Sequence, residues 1–306
     1  MNSEAQPACI PTEASFDSGQ AEKLTPREVL VEKWRNAPQD ISRYRHGTAV
    51  DGEGNIYEYS AGVRLWIGDQ DEVMDSCQKP WAEETVRKAF EAFEELGDKK
   101  DVRVLERGFG LGLIATQVMD YLRDLGGSYT VIELNRKVAN YANTTWRQKQ
   151  TTISRAKATS EIGGIFRGLN VGIEVIEGDA FEETRRLAGE GKKFDIIISD
   201  TFPLSEDERS VNDLLDLETL VKCLEPDGVF AFFGYHAGYE GGMNDEQRNL
   251  VERNFNGVSR TLVTVNPPLD YRFFQTSNGP LRKLPVIICR EPRPQLRAVD
   301  TSTQLP

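Results

Sequence analysis

The chain has 306 residues, 39% of them hydrophobic and 28% charged, the composition of a globular protein long enough for one α/β domain with extensions. Its 49 acidic residues outnumber 37 basic ones and leave a formal net charge of −12, which repels phosphate backbones and anionic lipid surfaces and argues against nucleic acid or membrane partners. Four scattered cysteines without a C-x-x-C pair, and only two histidines (His46 and His236), point to free thiols in a reducing cytoplasm and to no metal site.

No apolar run approaches the ~20 residues of a membrane span, and the first residues have neither the basic start nor the apolar core of a secretory leader. Residues 1–25 are rich in Ser, Glu, Gln and Pro and read as a disordered tail, as do residues 293–306. In TPREVLVEKWRNA, Thr25 can cap a helix with Pro26 at its first position and Glu28 close behind. TAVDGEGNIYEYSAGVRLWIG reads as a hairpin around DGEGN. PWAEETVRKAFEAFEEL has helical spacing, with Trp81, Val86, Phe90 and Phe93 on one side. Residues 26–100 are therefore an N-terminal extension, expected to cover an active site or to make a contact in a homodimer or higher homo-oligomer.

From residue 101 strands and helices alternate: DVRVLE, a helix in IATQVMDYLRDL, SYTVIELN, a helix in RKVANYANTTWRQKQ, then GIEVIEGD, FDIIISD, a helix in LLDLETLVKCL, and DGVFAFFGY. SRTLVTVNPP and LPVIICRE read as two closing strands. The pattern predicts a Rossmann-like, doubly wound, mostly parallel sheet over 101–292, with an antiparallel C-terminal strand. Residues 151–170 are polar, without a clear period, and read as an insertion.

The first strand of this unit runs into Glu106-x-Gly108-x-Gly110-x-Gly112. Glycines after a first parallel strand let the backbone approach a ligand at a helix N-terminus, although a tight turn needs them too. A dinucleotide loop of the form G-x-G-x-x-G, started at Gly108, would want its third glycine where Leu113 stands. Glu133 ends the second strand, where a carboxylate can accept both hydroxyls of a ribose. Asp179-Ala180 ends the third, where an acid can receive an adenine amino group. Asp200-Thr201-Phe202-Pro203 ends the fourth. Any one of these could be a solvated loop acid; together they put acids at the strand ends where open α/β sheets bind ligands.

This order resembles the class I S-adenosylmethionine-dependent methyltransferases over roughly residues 101–290. The nearer resemblance is to guanidinoacetate N-methyltransferase and its arginine N-methyltransferase relatives. It rests on Gly108-Phe109-Gly110, on DTFPL from Asp200 to Leu204, and on PPLDYRFF from Pro267 to Phe274. The resemblance implies S-adenosylmethionine as cofactor, with Glu106, Gly108, Phe109, Gly110 and Gly112 at its methionine and ribose parts. Glu133 and Leu134 would lie at the ribose, Asp179 and Ala180 at the adenine, and Asp200 and Thr201 near the methyl group. It also implies a guanidinium clamp made of Asp200 and a glutamate. The stretch VMDSCQKPW, however, has Cys77 and Gln78 where the family has Trp and Glu.

One carboxylate and one amide supply one negative charge less than two carboxylates. The expected function is thus methyl transfer to a small molecule, with Asp200 binding or deprotonating the acceptor and His236 as a second base. Gln78, Trp81, Phe202, Tyr235 and Tyr239 would line the acceptor pocket, with Tyr44 and Trp66 closing it from the N-terminal side. The acceptor is either a guanidino or amino nitrogen, or the carbon, oxygen or ring nitrogen of a more apolar natural product of secondary metabolism. A nicotinamide-dependent oxidoreductase and a non-catalytic binding protein are the readings from other classes.

Overall fold

The computed structural model describes residues 24–50, 56–68, 71–97, 100–160, 171–205, 208, 212–234, 243–268, 270, 275–276, 279–280 and 282–293. Helix α1 (Pro26–Asn36) opens with a full capping box. The Thr25 hydroxyl accepts from the Glu28 backbone N–H, and the Glu28 carboxylate accepts from that of Thr25. Strands β1 (Gln39–Tyr44), β2 (Gly47–Val50), β3 (Ile56–Tyr59), β4 (Gly62–Ile67) and β5 (Asp71–Asp75) follow. β2 pairs with β3 as the expected hairpin, and its DGEGN turn lies outside the described residues. The rest of that stretch does something else: β4 is the middle strand of a three-stranded sheet, antiparallel to β1 and β5. Helix α2 (Lys79–Glu94) buries Trp81, Val86, Phe90 and Phe93 on one face.

The second part is a seven-stranded sheet. Its elements are β6 (Val102–Arg107), α3 (Leu113–Leu125), β7 (Gly127–Glu133), α4 (Arg136–Tyr141), a π turn (Ala142–Trp146), α5 (Arg147–Ser160), β8 (Gly172–Glu177), α6 (Ala180–Gly189), β9 (Phe194–Ser199), α7 (Leu217–Cys223), β10 (Leu224–Phe232), α8 (Asp245–Asn254) and β11 (Phe255–Thr264). A short pair, β12 (Gln275–Thr276) and β13 (Gly279–Pro280), precedes β14 (Lys283–Pro292). The strand order is β11-β14-β10-β9-β6-β7-β8. The five strands from β10 to β8 run parallel, and β14 runs antiparallel to both its neighbours. This is the Rossmann-like, mostly parallel sheet that the sequence predicts.

Both faces of the sheet are covered. One carries α2, α3 and the π turn over Val104, Ile196 and Ile198; the other carries α6 and α7 over Leu105, Ile197 and Phe230. Every residue of β9 is buried, so its isoleucines serve the two faces alternately. Burying each contributes roughly 1.5–3 kcal/mol.

The stretch expected to be an insertion is in its first half a continuation of α5. The hydroxyls of Thr151, Thr152 and Ser154 donate to the carbonyls of Arg147, Gln148 and Gln150, one turn back. A helix whose hydroxyls fold onto its own backbone needs no apolar stripe, so no period marks it. Residues 161–170 lie outside the described residues. Helices α6 and α8 were not predicted. The residue that caps α6 is Asp179, whose Oδ1 accepts from the N–H groups of Phe181 and Glu182, both at 3.0 Å. A carboxylate read as a ligand acid is also the start signal of a helix.

Candidate active site

β6 has β9 on one side and β7 on the other, so the chain reverses its direction of travel across the sheet there. Loops diverge at such a point and leave a crevice beyond the strand ends. The crevice holds an open cavity of about 820 Å³, counting its solvent-open space. From the large sheet come Gly108, Gly110, Ile132, Glu133, Leu134, Asn135, Val138, Asp179, Ala180, Phe181, Asp200, Thr201, Phe202 and Leu204. The N-terminal extension supplies Arg27, Trp34, Leu65, Ile67, Val73 and Met74.

The glycine loop is held shut by the protein itself. Gly108 N–H donates to the Ile132 carbonyl, Phe109 and Gly110 N–H to Glu133 Oε2 (3.0 and 3.3 Å), Leu111 N–H to Met74 Sδ (3.2 Å), and Gly112 N–H to the Phe109 carbonyl. All five donors are spent within the chain, whereas a phosphate cradle needs them free. Gly108 has a left-handed φ of 88°, and a Cβ there would come within 2.4 Å of the Asp200 carbonyl oxygen. Any side chain at Gly108 would therefore push the β6 and β9 loops apart.

The acids around the cavity have different partners. Besides those two loop amides, Glu133 takes the Asn135 N–H on Oε1 at 2.8 Å; burial holds its pKa above the usual carboxylate range while these bonds pull it down. Asp179 gives Oδ1 to the α6 cap, and Oδ2 receives Arg27 Nη2 at 3.0 Å. Arg27 reaches on to Glu208 at 3.2 Å and lies over the Phe181 ring at 4.7 Å; the buried Arg107 guanidinium lies 4.9 Å from the same ring. Arg107 is paired with Asp216 at 2.9 Å.

Asp200 differs from both. Its Oδ2 is shut off from solvent and has no hydrogen-bond partner among the described residues. Burial first, and the Asp213 charge second, push its pKa up to about 7. Asp213 is a residue the sequence reading missed: its Oδ1 accepts from the Ser199 hydroxyl, the Thr201 hydroxyl (both 2.8 Å) and the Thr201 N–H (3.2 Å). It ties down the backbone on either side of Asp200.

The structure thus gathers Gly108, Gly110, Glu133, Leu134, Asp179, Ala180, Asp200, Thr201 and Phe202 at one cavity. It uses other expected residues elsewhere. Glu106 is buried inside the sheet, accepting from the Tyr129 hydroxyl. Phe109 packs into the core against Trp146 and Tyr141, and Gly112 is the left-handed N-cap of α3. Gln78 is not in the cavity wall: it is 3% exposed, and its Oε1 accepts from the Asp75 N–H to close a 3₁₀ turn. Trp81 is core, donating to the Pro285 carbonyl at 2.8 Å and lying edge-on to Phe233. Trp66 donates to Ser42, and Tyr44 donates to Asp75 while covering the Arg64 guanidinium. In PPLDYRFF, Asp270 chelates Arg64 with both oxygens, at 2.6 and 2.9 Å, so this residue ties the C-terminal segment to β4. Tyr235, His236, Tyr239, Leu269 and Tyr271–Phe274 lie outside the described residues.

Sequence reasoning missed the N-terminal wall. The cap at Thr25 marks α1, but nothing in PREVLVEKWRN indicates that Arg27 and Trp34 face a site 100 residues or more away in the chain. What places them is the Asn135 amide, which donates to the carbonyls of Trp34 and Ala37, both at 3.0 Å.

The strand order and the position of the cavity define a class I methyltransferase-like fold. No protein-family model and no curated protein matches the sequence. Solved structures do show a likeness. Spermidine synthase from Thermotoga maritima is 13% identical, with a TM-score of 0.48 over 81% of this chain and 80% of that one. A probable spermidine synthase from Corynebacterium glutamicum is 17% identical, with a TM-score of 0.45 over 82% and 76%. Human methyltransferase-like protein 13 in complex with SAH is 13% identical, with a TM-score of 0.41 over 73% and 85%. At such values it is the cavity residues that bear on function. No described helix is long and apolar enough to cross a membrane.

Proposed function

We propose that the protein is a small-molecule methyltransferase that uses S-adenosylmethionine. The observation that carries this is the pairing, in one cavity, of a phosphate-averse glycine loop with a buried Asp200 oxygen that has no partner. The fit to the cofactor is chemical. The wall offers carboxylates and apolar surface, and its single arginine is already engaged by Asp179 and Glu208. That suits hydroxyls, an amine and a sulfonium charge, and does not suit a pyrophosphate. The dinucleotide-dependent reading is disfavoured for the same reason.

When bound, the cofactor supplies an electrophilic methyl group on a sulfonium. The chain's residues do the rest. Gly108 and Gly110 let the loop pack against the Asp200 carbonyl and the Met74 side chain, which fixes its place in the wall, and Glu133 presents its remaining lone pairs to hydroxyls. Asp179 and Ala180 mark the adenine end. Asp200, held by the Asp213 network, pairs with the acceptor and takes its proton; a carboxylate whose pKa sits near neutrality is matched to that task. Residues 26–100 act as the cover over this site. The apolar wall also favours an acceptor that carries hydrocarbon or ring surface over a small, fully polar one.

Calorimetric titration with S-adenosylhomocysteine tests the cofactor, and no binding at millimolar ligand would sink the proposal. Product mass after incubation with S-adenosylmethionine identifies the group transferred. A non-catalytic binding protein would show no turnover across an acceptor panel and no effect of Asp200→Asn.

A further inference from the structure

The three acids that line the cavity leave one buried carboxylate oxygen without a partner among the described residues. Glu133 is engaged by three backbone N–H groups, and Asp179 by its helix cap and Arg27. Of these three, among the described residues, Asp200 alone keeps a buried oxygen unbonded. Two residues further on, the Phe202 ring packs on Trp34 of α1, centroid to centroid at 5.0 Å and tilted by 36°. Leu65, Ile67 and Leu204 complete an apolar surround.

A substituted guanidinium carries up to five N–H donors in a plane. One carboxylate satisfies two, and the apolar wall leaves the others dry. A protonated amine presents fewer donors, which one carboxylate can serve, and its hydrocarbon can lie against aromatic faces. We infer that the acceptor subsite takes an aromatic monoamine, with Asp200 holding its nitrogen and the Trp34–Phe202 pair selecting its ring. This rests on the methyltransferase reading for the fate of the nitrogen, but not for the binding.

For transfer the ammonium passes one proton to the Asp200 carboxylate. The freed nitrogen lone pair forms the new N–CH₃ bond as the C–S bond of the sulfonium breaks, and that electron pair stays on sulfur as a thioether. Charge balances: the sulfonium's positive charge ends on the methylated nitrogen.

The test uses the full chain and three probes: benzylamine, its neutral counterpart benzyl alcohol, and guanidinoacetate. Each is titrated by calorimetry with and without S-adenosylhomocysteine. Benzylamine should bind at least about tenfold more tightly than either other probe, the scale of one good charged or cation–π contact. Trp34→Ala should weaken benzylamine about tenfold and S-adenosylhomocysteine less, while Trp34→Phe restores most of the loss. Phe202→Leu should act in the same direction and leaves α1 untouched. Asp200→Asn should erase the preference for the amine over the alcohol. Tighter binding of guanidinoacetate, no binding of benzylamine, or equal losses for both ligands in Trp34→Ala and Phe202→Leu would overturn the inference. Benzylamine binding that depends on Asp200 and Trp34 in a protein that ignores S-adenosylhomocysteine would keep the subsite and remove the methyltransferase reading.

Discussion

Glu133 and Asp200 are both carboxylates at the C-terminal ends of parallel strands, and both face the same cavity. The β7 end folds its acid into the glycine loop, where three backbone amides hold it. The β9 end leaves its acid with a buried, partnerless oxygen and assigns the bonding to Asp213 instead. The first arrangement builds a rigid seat. The second leaves an electrostatic demand unmet within the described residues, which a ligand, a proton or a water can answer.

The comparison breaks most visibly at the seat. Gly108→Ala must relieve a 2.4 Å contact with the Asp200 carbonyl at a left-handed φ. It should cost about 2–4 kcal/mol, seen as a lowered unfolding midpoint, and should abolish S-adenosylhomocysteine binding.

Asp200→Asn tests the opposite end. Turnover should fall by about 10²–10⁴-fold, while S-adenosylhomocysteine binding and the unfolding midpoint hold or improve. A midpoint that drops sharply would show that the acid has a structural partner after all.

The pH dependence separates the two acids further. Asp200 is raised from 3.8 to about 7, so between those values the folded state keeps a proton that the unfolded chain releases. Stability should therefore fall as pH rises through that window and level off above it, whereas turnover should rise as pH passes about 7. Asp200→Asn should shrink the stability slope without removing it. Asp213, raised to about 6, and the buried Glu106 and Glu133 contribute with the same sign. Chemical denaturation from pH 4 to 8 reads this directly.

Gln78→Glu sharpens the distinction between site and scaffold. Placed in a buried turn beside Asp75, the new carboxylate should cost about 1–2 kcal/mol of stability and leave guanidinoacetate affinity unchanged. Arg27→Ala should have the smallest effect. Its side chain is one-third exposed, so losing the Asp179 and Glu208 pairs should cost about 0.2–1 kcal/mol in a stability measurement.

Much of the fold was legible because parallel strands buried on both faces must be apolar throughout, as FDIIIS is, and because Thr25-Pro26-x-Glu28 is a physical start signal. The glycine loop and the strand-end acids were legible for a related reason: topology alone brings them to one edge. What sequence could not give was how each acid is satisfied. Glu106 and Asp200 look alike in the chain, yet one accepts a tyrosine hydroxyl inside the sheet and the other, beside the cavity, keeps a buried oxygen without a partner among the described residues. Motif spacing points Gln78 to the site and aromatic character points Trp81 there, but a capping bond and an indole–carbonyl bond commit them elsewhere. The wall from Trp34 to Met74 was hidden because it depends on side-chain contacts between distant segments, which no local pattern encodes.

The Phe181 ring, flanked by the guanidinium groups of Arg27 and Arg107, has a consequence for how divisible the protein is. Arg27 joins Asp179 across 152 residues of chain, so the first helix is tied to the end of the third parallel strand. A fragment beginning at the large sheet would keep every glycine of the loop and every strand-end acid and still lose six of the twenty residues that line the cavity. The sheet unit recognisable in the sequence and the smallest piece that carries the whole cavity wall are therefore two different lengths of the same chain.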